Sequence, residues 1–211
     1  MNDYLASFFE TALEYTKKNC LEEYTLVDER HFEDIEDPLD LFYQYIYVVF
    51  NSGMKHSIAE KMLNKYLEKR DLNTISHLGK RKAVFTATQD YPIWYAKLKV
   101  APDKIAYLST LPYLGRITKY HLARNLGIDC CKPDRHLLRL AFSNAYSCPD
   151  ARVKCRNLIE KMSSCRCQHE CVNRMCQELA DKFNLRIGTV DFVLWAYIVR
   201  RGIKELACEE K

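Results

Sequence analysis

The sequence predicts an all-α fold, and three observations carry that expectation. Apolar residues recur at helical spacing through several long stretches. Only six glycines and six prolines interrupt 211 residues. A hydrophobic content of 48% is enough to bury a core, either as one large domain or as two small lobes.

Taken in order, residues 3–20 form an amphipathic helix through Leu5, Phe8, Phe9, Ala12, Leu13 and Tyr15. The acidic segment after it contains Pro38 and reads as a loop. Leu39–Phe50 is apolar all round, as a central helix should be. Asn51-Ser52-Gly53-Met54 breaks that run before a helix from Ser57 to Arg70. Residues 72–100 read as two or three short helices interrupted at Gly79 and at Asp90-Tyr91-Pro92. Further helices are expected over 134–145, over 168–184 through Val172, Met175, Cys176, Leu179 and Phe183, and over Thr189–Ile203. In the last of these, Asp191 falls in the first turn, where the helix dipole favours an acid.

No stretch of about eighteen apolar residues exists to span a membrane. The N-terminus lacks the basic start and continuous apolar run of a signal peptide, so a cytoplasmic location is expected, or a nuclear one in a eukaryote. In that setting the ten cysteines read as reduced thiols or a metal site rather than as disulfides. The charge is unevenly spread. Between Glu22 and Asp40 there are nine acids against Arg30 alone, whereas from Lys99 to Arg139 there are eight bases against Asp103, Asp129 and Asp134. That basic stretch would turn one face toward a polyanion.

The basic stretch also carries a candidate helical hairpin. Tyr107, Leu108 and Leu111 close one helix, Pro112 to Gly115 make the turn, and a second helix opens at Arg116. Amides at such a helix start lack intrahelical partners, so they suit a phosphate. Beyond it lies Lys132-Pro133-Asp134-Arg135-His136-Leu137-Leu138-Arg139.

Together, the two segments resemble the helix-hairpin-helix DNA glycosylase superfamily, which includes endonuclease III, the adenine glycosylase and the alkyl-base glycosylases. Its pattern is L-P-G-h-G-x-x-T-A (h apolar), then a loop, then h-D-x-H-h-x-R. Leu111, Pro112, Leu114, Gly115, Thr118, Asp134, His136 and Arg139 supply it, with one residue fewer between hairpin and Asp. The resemblance is clear over about 40–145 and weak elsewhere, although Gly188 to Trp195 is similar to the family's closing helix. Two positions depart from the pattern. Tyr113 stands at the first hairpin glycine, so the turn there is expected to adopt a conformation open to a non-glycine residue, and Lys119 replaces the usual alanine.

The resemblance implies two helical lobes with a cleft between them: a lobe over about 40–145 with the hairpin at 108–126, and a second lobe from 1–39 and 146–211, all within one glycosylase-like domain. It implies a monomeric enzyme on double-stranded DNA that flips a damaged or modified base and hydrolyses its N-glycosidic bond. Asp134 would be catalytic, because a carboxylate beneath the sugar stabilises an oxocarbenium-like state or activates water. Structurally, Asp134 is equally well placed as a helix N-cap. Tyr113, Gly115, Arg116, Thr118, Lys119, Lys132, Arg135, His136 and Arg139 would meet the DNA backbone. Where bifunctional members carry a Schiff-base lysine this chain has Ile117, and Lys119 lies about 200° further round a helix, so no strand cleavage is implied.

By the same likeness Ser52 would fill the gap left by the extruded base, with Asn51 beside it and Met54 as an apolar wedge. These residues also suit an ordinary helix C-cap. Tyr43, Tyr47 and Trp94 are candidates for the base pocket, with plain core packing the alternative for Trp94. Some members hold an iron–sulfur cluster on C-x6-C-x2-C-x5-C, but this chain runs C-x9-C-x-C-x3-C-x4-C. No cofactor is expected. A metal would draw on Cys155, Cys165, Cys167 and Cys171, with His169 as a further donor. Two other functions stay open: an enzyme of hypermodified-pyrimidine metabolism on the same scaffold, similar to the alpha-glutamyl/putrescinyl-thymine pyrophosphorylases, and a non-catalytic DNA-binding module.

Overall fold

The structure, a computed structural model, describes residues 3–144 and 168–202. Among them are ten α-helices and no strand, so the fold is all-α. No helix among the described residues is long and apolar enough to cross a membrane. The chain divides into two compact units, Met1–Arg30 with Asp129–Lys211, and His31–Ile128.

In the first unit, α1 (Asp3–Asn19) and α2 (Leu21–Glu29) join α8 (Arg135–Ser143), α9 (Gln168–Phe183) and α10 (Ile187–Arg200). The acidic segment expected as a loop is largely helical, because Tyr24 is buried in this core and holds α2 in place. Where the sequence suggested a lobe running to residue 145, α8 belongs with the terminal helices. Its Leu137, Leu138, Leu140 and Ala141 share one core with Leu5, Phe9, Met175, Leu179 and Val193.

The second unit is built on α3 (Pro38–Asn51), packed against α4 (His56–Lys69), α5 (Leu78–Val100) and α7 (Thr118–Asn125), with the short α6 (Lys104–Leu108) beside α5 and α7. Asp37 caps α3 by accepting from the Leu39 amide at 2.8 Å, with Pro38 at the first helical position. Leu41, Phe42, Tyr45, Ile46, Val48, Val49 and Phe50 are buried on α3, as its all-round apolar character predicts.

One helix, not two or three, covers most of 72–100. Gly79 lies inside the first turn of α5, and Pro92 sits within the helix. An internal proline costs about 3 kcal/mol. Burial of Ala83, Val84, Ala87, Trp94 and Leu98 along one side of α5 offsets it and carries the helix through. Lys80 is only 2% exposed. Its ammonium donates to the carbonyls of Phe50 at 2.7 Å and Ser52 at 2.8 Å, closing the end of α3, and burial pushes its pKa down.

Replacing this ammonium leaves two carbonyl oxygens without their donor. Lys80→Met should therefore destabilise the protein by roughly 2–4 kcal/mol in urea unfolding. A loss under about 0.5 kcal/mol, the range of neutral surface substitutions, would show that these carbonyls do not depend on Lys80.

Candidate nucleic-acid interface and active site

The hairpin belongs to the second unit. Asp103 caps α6 by accepting from the Ala106 amide at 2.8 Å, and Leu108, Leu111 and Leu114 are buried beneath the turn. The Leu114 N–H donates to the Leu111 carbonyl at 3.3 Å. With Pro112 second and Tyr113 third at φ +65°, residues 111–114 have the form of a type II turn. The expectation that tyrosine would impose another conformation is therefore overturned. Tyr113 adopts the left-handed backbone that a glycine would take, while Gly115 is not among the positive-φ residues. The Tyr45 hydroxyl, from the middle of α3, donates to the Pro112 carbonyl at 2.6 Å and pins the turn.

The second hairpin helix opens at Thr118, two residues later than Arg116. The Gly115 N–H donates to the Thr118 hydroxyl at 2.6 Å, and the first ladder bond runs from the Lys119 N–H to the Gly115 carbonyl at 3.2 Å. The amides of Ile117 and Thr118 precede that bond and so lie outside the intrahelical ladder. Gly115 and Arg116 are exposed at the tip, and the Lys119 ammonium lies 5.0 Å from the Tyr120 ring centre. At the far end Gly127, at φ +80°, stops α7. The Ile128 N–H reaches the Ala123 carbonyl at 3.0 Å and the Gly127 N–H that of Arg124 at 2.9 Å.

In the same unit Ser52 caps the C-terminus of α3, Gly53 turns at φ +71°, and Met54 is 37% exposed. The C-cap alternative for Asn51 and Ser52 is thus real, and an apolar side chain stands just beyond it. Tyr43 and Tyr47 line an open cavity of about 410 Å³ with Gln44, Leu63 and Leu67. The Gln44 side-chain oxygen accepts from the Asn125 amide at 3.1 Å, and Tyr47 meets the His121 ring edge-on at 5.9 Å. Trp94 lines none of this. It is buried edge-on against Tyr45 at 5.2 Å, because α5 turns that face toward α3.

Asp134 lies in the first unit and is the N-cap of α8. Its Oδ1 accepts from the amides of His136 at 2.8 Å and Leu137 at 3.2 Å, and among the described residues nothing donates to Oδ2. The cap therefore uses one carboxylate oxygen only. The loop before it is fixed by Asp191 on α10, 1% exposed, whose Oδ1 accepts from the Lys132 amide at 3.0 Å. From the sequence, Asp191 suits only the helix dipole. The available signal was a lone acid inside the apolar run Val190 to Trp195. Arg186 was also missed. Its Nη1 donates to the carbonyls of Val27, Asp28 and Arg30, at 3.3, 3.1 and 2.6 Å, closing the end of α2.

Arg135 is exposed beside His136, its Nε 3.4 Å from the imidazole Nε2, whereas Lys132 and Arg139 are half-buried. Burial lowers the His136 pKa, against the attraction of Asp134. Of the candidate metal donors, Cys155, Cys165 and Cys167 lie outside the described residues, and Cys171 is buried in α9. Cys176 is fully buried. Its hydrogen bond with Cys131, together with burial, raises its thiol pKa. Among the described residues no three such ligands are grouped.

A helical chain with this hairpin and an aspartate-capped helix beyond it has the fold of a DNA glycosylase. It is similar to the solved structure of the 8-oxoguanine glycosylase/lyase of Methanocaldococcus jannaschii in complex with a 15mer DNA containing 8-oxoguanine. The two align over 91% of this chain and 96% of that one, with a TM-score of 0.61 and 13% identity. No protein-family model and no curated protein matches the sequence.

Because burial dominates at His136, its imidazole should titrate below the ordinary value of about 6.5. Its contribution to stability is then fully present above that pH and is lost as pH falls below it, since the unfolded chain takes up the proton first. Proton NMR of the His136 ring checks this. Titration above about pH 6.5 would mean that Asp134 outweighs burial.

Proposed function

We propose that this protein is a monofunctional DNA N-glycosylase, acting as a monomer inside the cell on duplex DNA that carries a damaged or modified base. One observation carries the reading: in a glycosylase fold, the Asp134 carboxylate caps α8 through Oδ1 while Oδ2 receives no hydrogen bond among the described residues.

The exposed tip at Gly115 and Arg116, with the amides before the first ladder bond of α7, grips a phosphate of the substrate strand. Lys132, Arg135 and Arg139 add phosphate contacts, and His136, whose pKa burial lowers, orients that loop. The extruded nucleotide leaves a gap that the Ser52–Met54 loop fills. Loss of the base places positive charge on the sugar, and Asp134 Oδ2 stabilises that charge and takes the proton of the attacking water.

Two features support water as the nucleophile. Ile117 has no amine, and the Lys119 ammonium is placed over the Tyr120 ring. The similar M. jannaschii enzyme is a glycosylase/lyase, so the activity proposed here lacks that enzyme's lyase part.

Asparagine caps helices as well as aspartate does, so Asp134→Asn separates the two roles. It should keep the unfolding midpoint and DNA binding while base release falls by a factor on the order of 10²–10⁴. Activity within about threefold of the parent would reduce Asp134 to a cap. Substrates for this assay come from a panel of DNAs with oxidised, alkylated and naturally modified bases, scored by free base and by alkali-labile sites.

Without an amine nucleophile no covalent enzyme–DNA intermediate forms. Borohydride during turnover should trap nothing, and product strands should stay intact until alkali is added. An adduct that disappears in Lys119→Ala would establish a lyase instead.

A further inference from the structure

The start of α5 touches two separate features of the second unit. On one side it meets the hairpin: the Tyr113 ring lies so close over Gly79 that a Cβ there would come within 3.0 Å of its Cε2, and the ring stands edge-on to His77 at 5.9 Å. On the other, the next residue, Lys80, sends its buried ammonium to the Phe50 and Ser52 carbonyls at the root of the Ser52–Met54 loop. His77 ties the two together, its Nδ1 accepting from the Lys80 amide at 3.3 Å.

Tyr113 is 37% exposed, so its ring is not core, and its left-handed backbone is one that glycine would adopt without strain. A strained residue persists where its surroundings over-determine it. Here those surroundings are Gly79, His77 and the turn pinned by Tyr45.

We propose that Tyr113 is a positioning residue: its ring locks the hairpin turn to the start of α5 and, through Lys80, to the Ser52–Met54 loop, so that strand grip and gap filling move as one body. The use of this coupling rests on the DNA glycosylase reading, but its mechanical part belongs to the free protein.

Hydrogen exchange of the whole, DNA-free protein reads the coupling at two amides, Ser52 bonded to the Val48 carbonyl and Met54 to that of Asn51. Tyr113→Gly, which relieves the backbone, and Gly79→Ala, which displaces the ring, should each speed exchange at both amides by about tenfold or more. Tyr113→Phe, which keeps the ring, should stay within about twofold of the parent. On DNA, Tyr113→Gly should slow single-turnover base release by about tenfold, and phenylalanine should restore the rate.

Unchanged exchange in Tyr113→Gly overturns the proposal, as does a phenylalanine variant as slow as the glycine one, which would assign the role to the hydroxyl. A parent protein that releases no base from any DNA of the panel would sink the glycosylase reading instead, and the exchange experiment would still decide the coupling.

Discussion

Each unit fixes a loop by a polar side chain buried in otherwise apolar surroundings. In the second unit the Tyr45 hydroxyl holds the Pro112 carbonyl and the Lys80 ammonium holds those of Phe50 and Ser52. In the first, Asp191 holds the Lys132 amide, and the half-buried Arg186 adds bonds to the end of α2. Apolar packing fixes a helix on its neighbours but leaves a loop free to slide. A hydrogen bond made where no water competes fixes one backbone atom at one place, and leaving either partner unpaired there is expensive.

The same economy appears at Asp134. A carboxylate has two oxygens, and a helix start asks for one. Placing the acid at the N-cap fixes its torsions through two amide donors and leaves the second oxygen available. The His136 backbone amide is one of those donors, a part that any non-proline residue would fill, so the cap alone gives no reason for the imidazole. The cap and the proposed chemistry are therefore compatible in one side chain.

How much of this was legible in the sequence follows from range. Helices with a clear apolar stripe, such as α1, α3, α4 and α9, were readable because their signal is local and periodic. The acidic α2 was not, since its helix is held by one buried tyrosine and by Arg186 from far along the chain. The continuity of α5 through Pro92 was hidden for the same reason: local preference argues for a break, and packing against α3 overrides it. Asp134, Gly115 and Thr118 stood out as a motif. Asp191, Lys80 and Tyr45 did not, because a hydrogen bond spanning some thirty to seventy residues leaves no spacing signature. Trp94 suits a pocket wall or a core equally by sequence, because aromatics serve both uses, and its burial against Tyr45 is a matter of tertiary packing.

Tyr113 shows the limit of reading a departure from a pattern as a departure in shape. A tyrosine where others have glycine suggests a different turn, since a left-handed backbone costs an ordinary residue about 1–2 kcal/mol. Yet Pro112 before it and the Leu114 to Leu111 hydrogen bond after it still demand a type II turn, and the Tyr45 bond to Pro112 anchors that turn from below. Three constraints on the neighbours outweigh one preference at the residue itself, so the turn is kept and the strain is retained. What the substitution adds is a side chain where glycine has none, and the structure accommodates it at Gly79, where the absence of a Cβ leaves room for the ring.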